Sequence, residues 1–134
     1  MSGTLASCAT DLIGRTPLLE RDGLFIKCEF MNPSGSIKGR MVHYVIEQAE
    51  KAGLIEPGMT LVEATSGNTG NALALVGAAK GYKVLIVTPR GYTQERNMIS
   101  RAYGATLRFV GQFHLDEAVE EARRLGEQPG HRFR

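Results

Sequence analysis

The stretch Thr60-Leu61-Val62-Glu63-Ala64-Thr65-Ser66-Gly67-Asn68-Thr69-Gly70 decides the fold class, because it passes from a strand to a helix through one tight loop. Thr60 to Ala64 is short and carries the apolar residues a covered strand requires. The small-residue run Asn71 to Lys80 then reads as a helix, and Gly81 closes it, glycine being the residue best suited to a helix C-terminus. Downstream, Tyr82 to Val87 is a strand bounded by Pro89, and Thr93 is a candidate cap for a helix ending near Gly104. Ala105 to Val110 reads as a strand and Leu115 to Leu125 as a last helix. Upstream, Leu24 to Phe30 reads as a strand entered from the turn Asp22-Gly23 and left through Asn32-Pro33-Ser34-Gly35. Val42, Val45, Ile46 and Ala49 then recur at helical spacing until Gly53. A parallel crossover needs a helix-sized return path, so this alternation predicts an α/β fold: an open, mainly parallel sheet covered by helices. The polar tail Gly126 to Arg134, with Pro129 and Gly130, is expected to lack a partner element.

Length and composition narrow the function classes. At 134 residues the chain has the size of one domain, and 43% apolar with 22% charged residues is ordinary for a soluble globular protein. The net charge is +2, and acidic and basic residues interleave along Glu117 to Arg124, so no single-signed stripe suits a nucleic-acid backbone. The acidic and basic residues of this last helix read as a solvated face. The apolar runs fall short of the roughly 20 residues that cross a bilayer. Cys8 and Cys28 form no CxxC pair, and Met1 to Thr10 has neither a basic start nor a continuous apolar stretch. A cytoplasmic location without disulfides is the expectation. His43, His114 and His131 share no ligand spacing, so no metal site is expected.

Two loops hold the residues that could do chemistry. Asn32-Pro33-Ser34-Gly35-Ser36-Ile37-Lys38-Gly39-Arg40 sets a lysine at a helix start, where the positive end of the helix disfavours an ammonium. A lysine that attacks a carbonyl must present its neutral amine, so the position suits that chemistry; a solvated surface lysine is the plainer reading. The second loop, Thr65 to Gly70, gathers Thr65, Ser66, Asn68 and Thr69 between glycines at the carboxyl end of a strand. Free N–H groups at the helix start and short polar side chains suit a carboxylate or phosphate; an ordinary capped turn would need only one such group. It has neither the lysine of a P-loop nor the spacing of GxGxxG.

Four blocks of the chain, in order, resemble one family: the O-acetylserine-dependent cysteine synthases and cystathionine β-synthases of the tryptophan-synthase-β-like group of pyridoxal-phosphate enzymes. Leu12-Ile13-Gly14-Arg15-Thr16-Pro17-Leu18 is similar to the opening IGxTPL, Asn32 to Lys38 to the lysine loop, and Thr65 to Gly70 to the substrate loop. Glu95-Arg96 with Ala102-Tyr103-Gly104-Ala105 is similar to ERxxxxxAYGA, and Glu63-Ala64 leans toward the B-type enzymes. The resemblance implies pyridoxal 5'-phosphate as cofactor, Lys38 as the Schiff-base lysine and proton shuttle, and Asn68 as the partner of the ring's phenolic oxygen. It further implies that Thr65, Ser66, Gly67, Asn68 and Thr69 hold the substrate carboxylate. The implied reaction is β-replacement on an activated serine by sulfide or a similar nucleophile, and the implied partner is a second copy of the chain.

The same resemblance marks departures. An acidic residue usually follows the lysine, where this chain has Gly39, and Arg15 stands where Asn is commoner. Family members are about twice as long, so residues 1–134 are read as the N-terminal part of the catalytic region. A complementary C-terminal half would supply the glycine-rich phosphate loop and the partner of the pyridine nitrogen. Two other readings stay open: a serine or threonine deaminase using the same cofactor, and a non-catalytic α/β module that binds an anion or a partner chain.

Overall fold

A computed structural model describes residues 5–91 and 94–133. Thr93, expected to cap a helix, lies outside the described residues. The sheet that organises the molecule has four parallel strands in the order β5-β4-β3-β6, formed by β3 (Thr60–Ala64), β4 (Lys83–Arg90), β5 (Thr106–Gln112) and β6 (His131–Phe133). The helices between them are α2 (Asn68–Lys80), α3 (Gln94–Ala102) and α4 (Asp116–Gly126), and α1 (Lys38–Lys51) precedes β3. The expected α/β architecture is therefore what the chain adopts.

Strand alternation sorts the core into two faces. Leu61, Val84 and Ile86 point to one side and pack with Val42 and Ile46 of α1 and Ala72, Leu73 and Val76 of α2. Val62, Ala64 and Val87 point to the other, against Ala118, Ala122 and Leu125 of α4. Complete burial of a side chain such as Val76 or Val87 stabilises by roughly 1.5–3 kcal/mol relative to exposure, so these contacts hold the helices on the sheet. α2 is buried from Gly70 to Gly77 without a polar stripe, as expected of a helix covered on every side. In α4 the acidic and basic residues are exposed except Glu121, which is half-buried and bridges Arg108 at 2.6 Å and Arg124 at 2.8 Å.

Three expectations need correction. The first strand is shorter than Leu24 to Phe30 and lies outside the parallel sheet. β2 (Leu24–Lys27) pairs antiparallel with β1 (Leu18–Arg21), and Glu29–Met31 forms a short 3-10 turn. Asp22 at φ 53 and Gly23 at φ 77 make the hairpin turn, since two consecutive left-handed residues match the twist of the flanking strands. Pro89 does not end β4. It stays paired with Val110, and an irregularity in register between Pro89 and Arg90 accommodates the residue that has no N–H. The tail is not without a partner: β6 pairs with β3 from Thr60↔His131 to Val62↔Phe133, and the Thr60 N–H donates to the Gly130 carbonyl at 2.8 Å.

Candidate active site

Lys38 is the first residue of α1 and is exposed. The loop before it is built from local bonds. The Gly35 N–H, at φ 75, donates to the Asn32 carbonyl at 2.7 Å, and the Lys38 N–H donates to Ser36 Oγ at 3.2 Å. Ser34 and Ser36 are buried beneath the loop, while the Lys38 side chain reaches outward. Among the described residues no carboxylate forms an ion pair with Lys38. Gly39 has a packing reason: a Cβ there would come within 2.8 Å of Ser34 Oγ.

The second loop leaves β3 at the carboxyl edge of the sheet, the side where open α/β sheets bind ligands. The Thr65 N–H donates to the Val87 carbonyl at 3.0 Å, extending the pairing of β3 with β4, and the Gly67 N–H donates to Thr65 Oγ1 at 3.2 Å. Thr65, Ser66, Gly67 and Thr69 are half-buried and Asn68 is exposed. Gly67 at the cap of α2 makes no side-chain bond, and in the first turn the Gly70 N–H donates to the Gly67 carbonyl at 3.0 Å, while the Asn68 and Thr69 N–H groups come too early in the helix for an intrahelical carbonyl. At Gly70 a Cβ would stand 2.9 Å from Thr65 Cγ2 and 3.1 Å from Ile86 Cδ1, so glycine lets the helix start press against its own loop.

The two loops come to the same end of the molecule. Glu50, near the end of α1, accepts from Lys80 Nζ at 2.8 Å and from the Tyr82 hydroxyl at 2.9 Å, both at the far end of α2. Met41 of the first turn of α1 and Thr69 of the first turn of α2 line one cleft. The helices therefore run side by side in the same direction, with Lys38, Asn68 and Thr69 at their shared N-terminal end. Tyr103 strengthens the arrangement by donating its hydroxyl to the Pro33 carbonyl at 3.2 Å. Ser100 Oγ donates to Asn71 Oδ1 at 2.7 Å, where α3 is pinned to α2.

A cluster beside Lys38 was not foreseen from sequence. Arg40 donates through Nε and Nη2 to the two carboxylate oxygens of Glu29 at 2.8 and 2.9 Å. Thr16 Oγ1 and Asn32 Nδ2 donate to the same carboxylate at 2.7 and 2.9 Å. Hydrogen bonds from Arg40 and Thr16 are the main cause that brings the Glu29 carboxyl down to about 2. Only an ionised carboxylate can accept all these donors, so the cluster is a fixed charged unit. The sole signal in the sequence was that Thr16, Asn32 and Arg40 sit in or beside the loops already quoted.

The family model for pyridoxal-phosphate dependent enzymes matches residues 9–133. A probable cysteine synthase of Bacillus subtilis (strain 168) is 42% identical over 127 residues, covering 88% of this chain and 41% of that protein. Among solved structures, an O-ureido-L-serine synthase superposes with a TM-score of 0.90 at 38% identity, over 97% of this chain and 44% of that one. An O-acetylserine dependent cystathionine beta-synthase from Helicobacter pylori superposes with a TM-score of 0.89 at 31% identity, over 98% of this chain and 47% of that one. The chain thus spans about two-fifths of the curated relative's length and less than half of each solved structure.

Proposed function

The chain belongs to the pyridoxal-phosphate dependent enzymes, and from that premise we propose that it is the N-terminal part of a cysteine synthase-like catalytic region with Lys38 as the cofactor lysine. The observation that carries this reading is the shared end of α1 and α2, where an exposed primary amine and a loop rich in hydroxyl, amide and helix-start N–H groups lie on the same side of the molecule. The residues present fit the cofactor: Lys38 offers an amine that no described carboxylate neutralises, and Asn68 offers an exposed amide.

When bound, pyridoxal phosphate supplies the electron sink that makes bonds next to an amino acid's α-carbon easier to break. Lys38 Nζ would hold the cofactor's aldehyde carbon and, when free, carry a proton to or from the substrate. The Asn68 amide would donate to the ring's phenolic oxygen. Thr65, Ser66, Gly67 and Thr69 would hold the substrate carboxylate with hydroxyls and N–H groups at the start of α2, and thereby orient the substrate. The Helicobacter relative is named O-acetylserine dependent, which supports an O-acetylserine-type donor, and the Bacillus relative supports sulfide or a similar nucleophile. A complementary C-terminal half or a second copy of the chain would complete the assembly.

The test is the absorption spectrum of the purified chain after pyridoxal phosphate is added and the excess removed, with Lys38→Ala alongside. The expected result is a protein-bound cofactor band in the parent chain that Lys38→Ala lacks. Equal bands in the two proteins would refute the role of Lys38. Cysteine formation from O-acetylserine and sulfide, measured with the complementary half present, tests the reaction itself.

A further inference from the structure

We propose that Arg40 and Glu29 are positioning residues for Lys38, their two-pronged ion pair fixing the first turn of α1 so that the lysine amine is delivered to one place; this rests on the reading of Lys38 above. α1 starts with little else to hold it. Ile37 at its cap makes no side-chain hydrogen bond, and the first turn carries no acidic residue. The backbone bonds there are long, 3.4 Å from the Gly39 N–H to the Ser36 carbonyl and 3.2 Å from the Arg40 N–H to the Ile37 carbonyl. Among the described residues the side-chain cap at this start is Ser36 Oγ, which accepts from the Lys38 N–H at 3.2 Å, and a helix start held by one long bond of this kind frays readily.

Arg40 lies in the same turn as Lys38 and removes that freedom. A planar guanidinium bound through two nitrogens to two carboxylate oxygens is fixed in both position and rotation, which a lysine in its place would not be. The anchor is itself rigid. Thr16 Oγ1 donates to Glu29 Oε1 and accepts from Arg40 Nη2 at 3.1 Å, and Asn32 Nδ2 donates to Glu29 Oε2. Asn32 is in turn held by the Gly14 N–H, which donates to its Oδ1 at 2.8 Å. The guanidinium lies against Gly14, where a Cβ would stand 2.9 Å from Arg40 Nη1. Two separate stretches of chain, one at Gly14 and Thr16 and one at Glu29 and Asn32, are therefore locked around the first turn of α1. A displacement of about 1 Å between reacting groups can cost on the order of a hundredfold in rate, so this control bears on chemistry as well as on folding.

The opposite end of α1 provides the control. Glu50 and Lys80 form an ion pair through a single contact at 2.8 Å, far from Lys38. The whole chain is incubated with pyridoxal phosphate, reduced with borohydride and digested, and the rate of labelling at each lysine is read by mass spectrometry. Unfolding midpoints are measured for every variant, and labelling is done well below the lowest of them. Label should concentrate on Lys38 in the parent chain. Arg40→Gln and Glu29→Gln should each slow Lys38 roughly tenfold without slowing other lysines, and the double variant should be no slower than either single one. Arg40→Lys, which keeps the charge but loses the fork, should resemble Arg40→Gln. Lys80→Ala should leave the Lys38 rate unchanged even where its midpoint falls as far.

Clamp variants that label at the parental rate would overturn the proposal, and so would a Lys80→Ala variant slowed to the same degree, since that would mean general loosening. If Arg40→Gln does not fold, Arg40→Lys and Glu29→Gln decide the matter. A parent chain in which Lys38 is not preferred would sink the cofactor reading and this proposal with it. A preferred Lys38 that is indifferent to the clamp would sink the clamp alone.

Discussion

Arg15 shows at the scale of one residue what a departure from a pattern costs. It follows Gly14 at φ 89 and is itself left-handed at φ 47, a region in which most L-residues are strained and Asn is tolerated. Its side chain is exposed. Arg15→Asn should therefore stabilise the chain by up to about 1 kcal/mol, whereas Arg15→Ala, which loses the charge without gaining a left-handed preference, should not. Denaturant midpoints of the three proteins measure this, and equal gains from Asn and Ala would show that charge, not backbone strain, is responsible. Gly39, the other departure, was visible in the sequence but its reason was not. Ser34 Oγ fills the space a side chain at 39 would need, and that closeness exists only once the loop has closed.

Elements were legible where local chemistry alone determines them. The limits of β3 and the glycine stops of α1 and α2 were readable because a covered strand and a left-handed closing residue are local requirements, met by Gly53 at φ 65 and Gly81 at φ 80. β1 was not readable, since Leu18, Leu19, Glu20 and Arg21 are all exposed and no face alternates with burial. β6 was not readable either, because a polar segment beside Pro129 becomes a strand only when β3 offers it a partner. The contact between α2 and β4 carries a sharper expectation. A Cβ at Gly77 would run into Val84 Cγ2, on a buried strand whose side chain has no room to yield. Alanine favours a helix over glycine by about 1 kcal/mol, yet overpacking costs about 1–3 kcal/mol. Gly77→Ala should consequently be less stable by up to about 2 kcal/mol, and Val84→Ala should recover part of the loss. A gain in stability from Gly77→Ala alone would contradict the packing described here.

Across the whole molecule, Glu29 links the N-terminal loop at Thr16, the turn at Asn32 and the start of α1, so its ionisation has consequences beyond its own position. Its carboxyl lies at about 2 in the folded chain against an ordinary value of 4.5. A depressed carboxyl contributes stability that is fully present above its ordinary value and is lost as pH falls through the folded one. The chain should thus lose stability between pH 4.5 and about 2, and Glu29→Gln, less stable near neutrality, should converge on it across that window. Unfolding midpoints taken at a series of pH values would show the convergence; a constant gap down to pH 2 would assign the acid sensitivity to other groups. None of this linkage is readable from composition or spacing, because Thr16, Glu29, Asn32 and Arg40 meet only in three dimensions.

The pairing of β6 with β3 also has a consequence in time. Synthesis delivers a chain from its N-terminus, and β3 emerges well before the segment that completes its outer edge. α4, which covers Val62 and Ala64, emerges nearly as late. On the ribosome, the face formed with α1 and α2 can therefore assemble while β3 still presents bare backbone on one side and uncovered side chains beneath. Until residues 131–133 arrive, the nascent sheet passes through a period of vulnerability to pairing with a neighbouring chain.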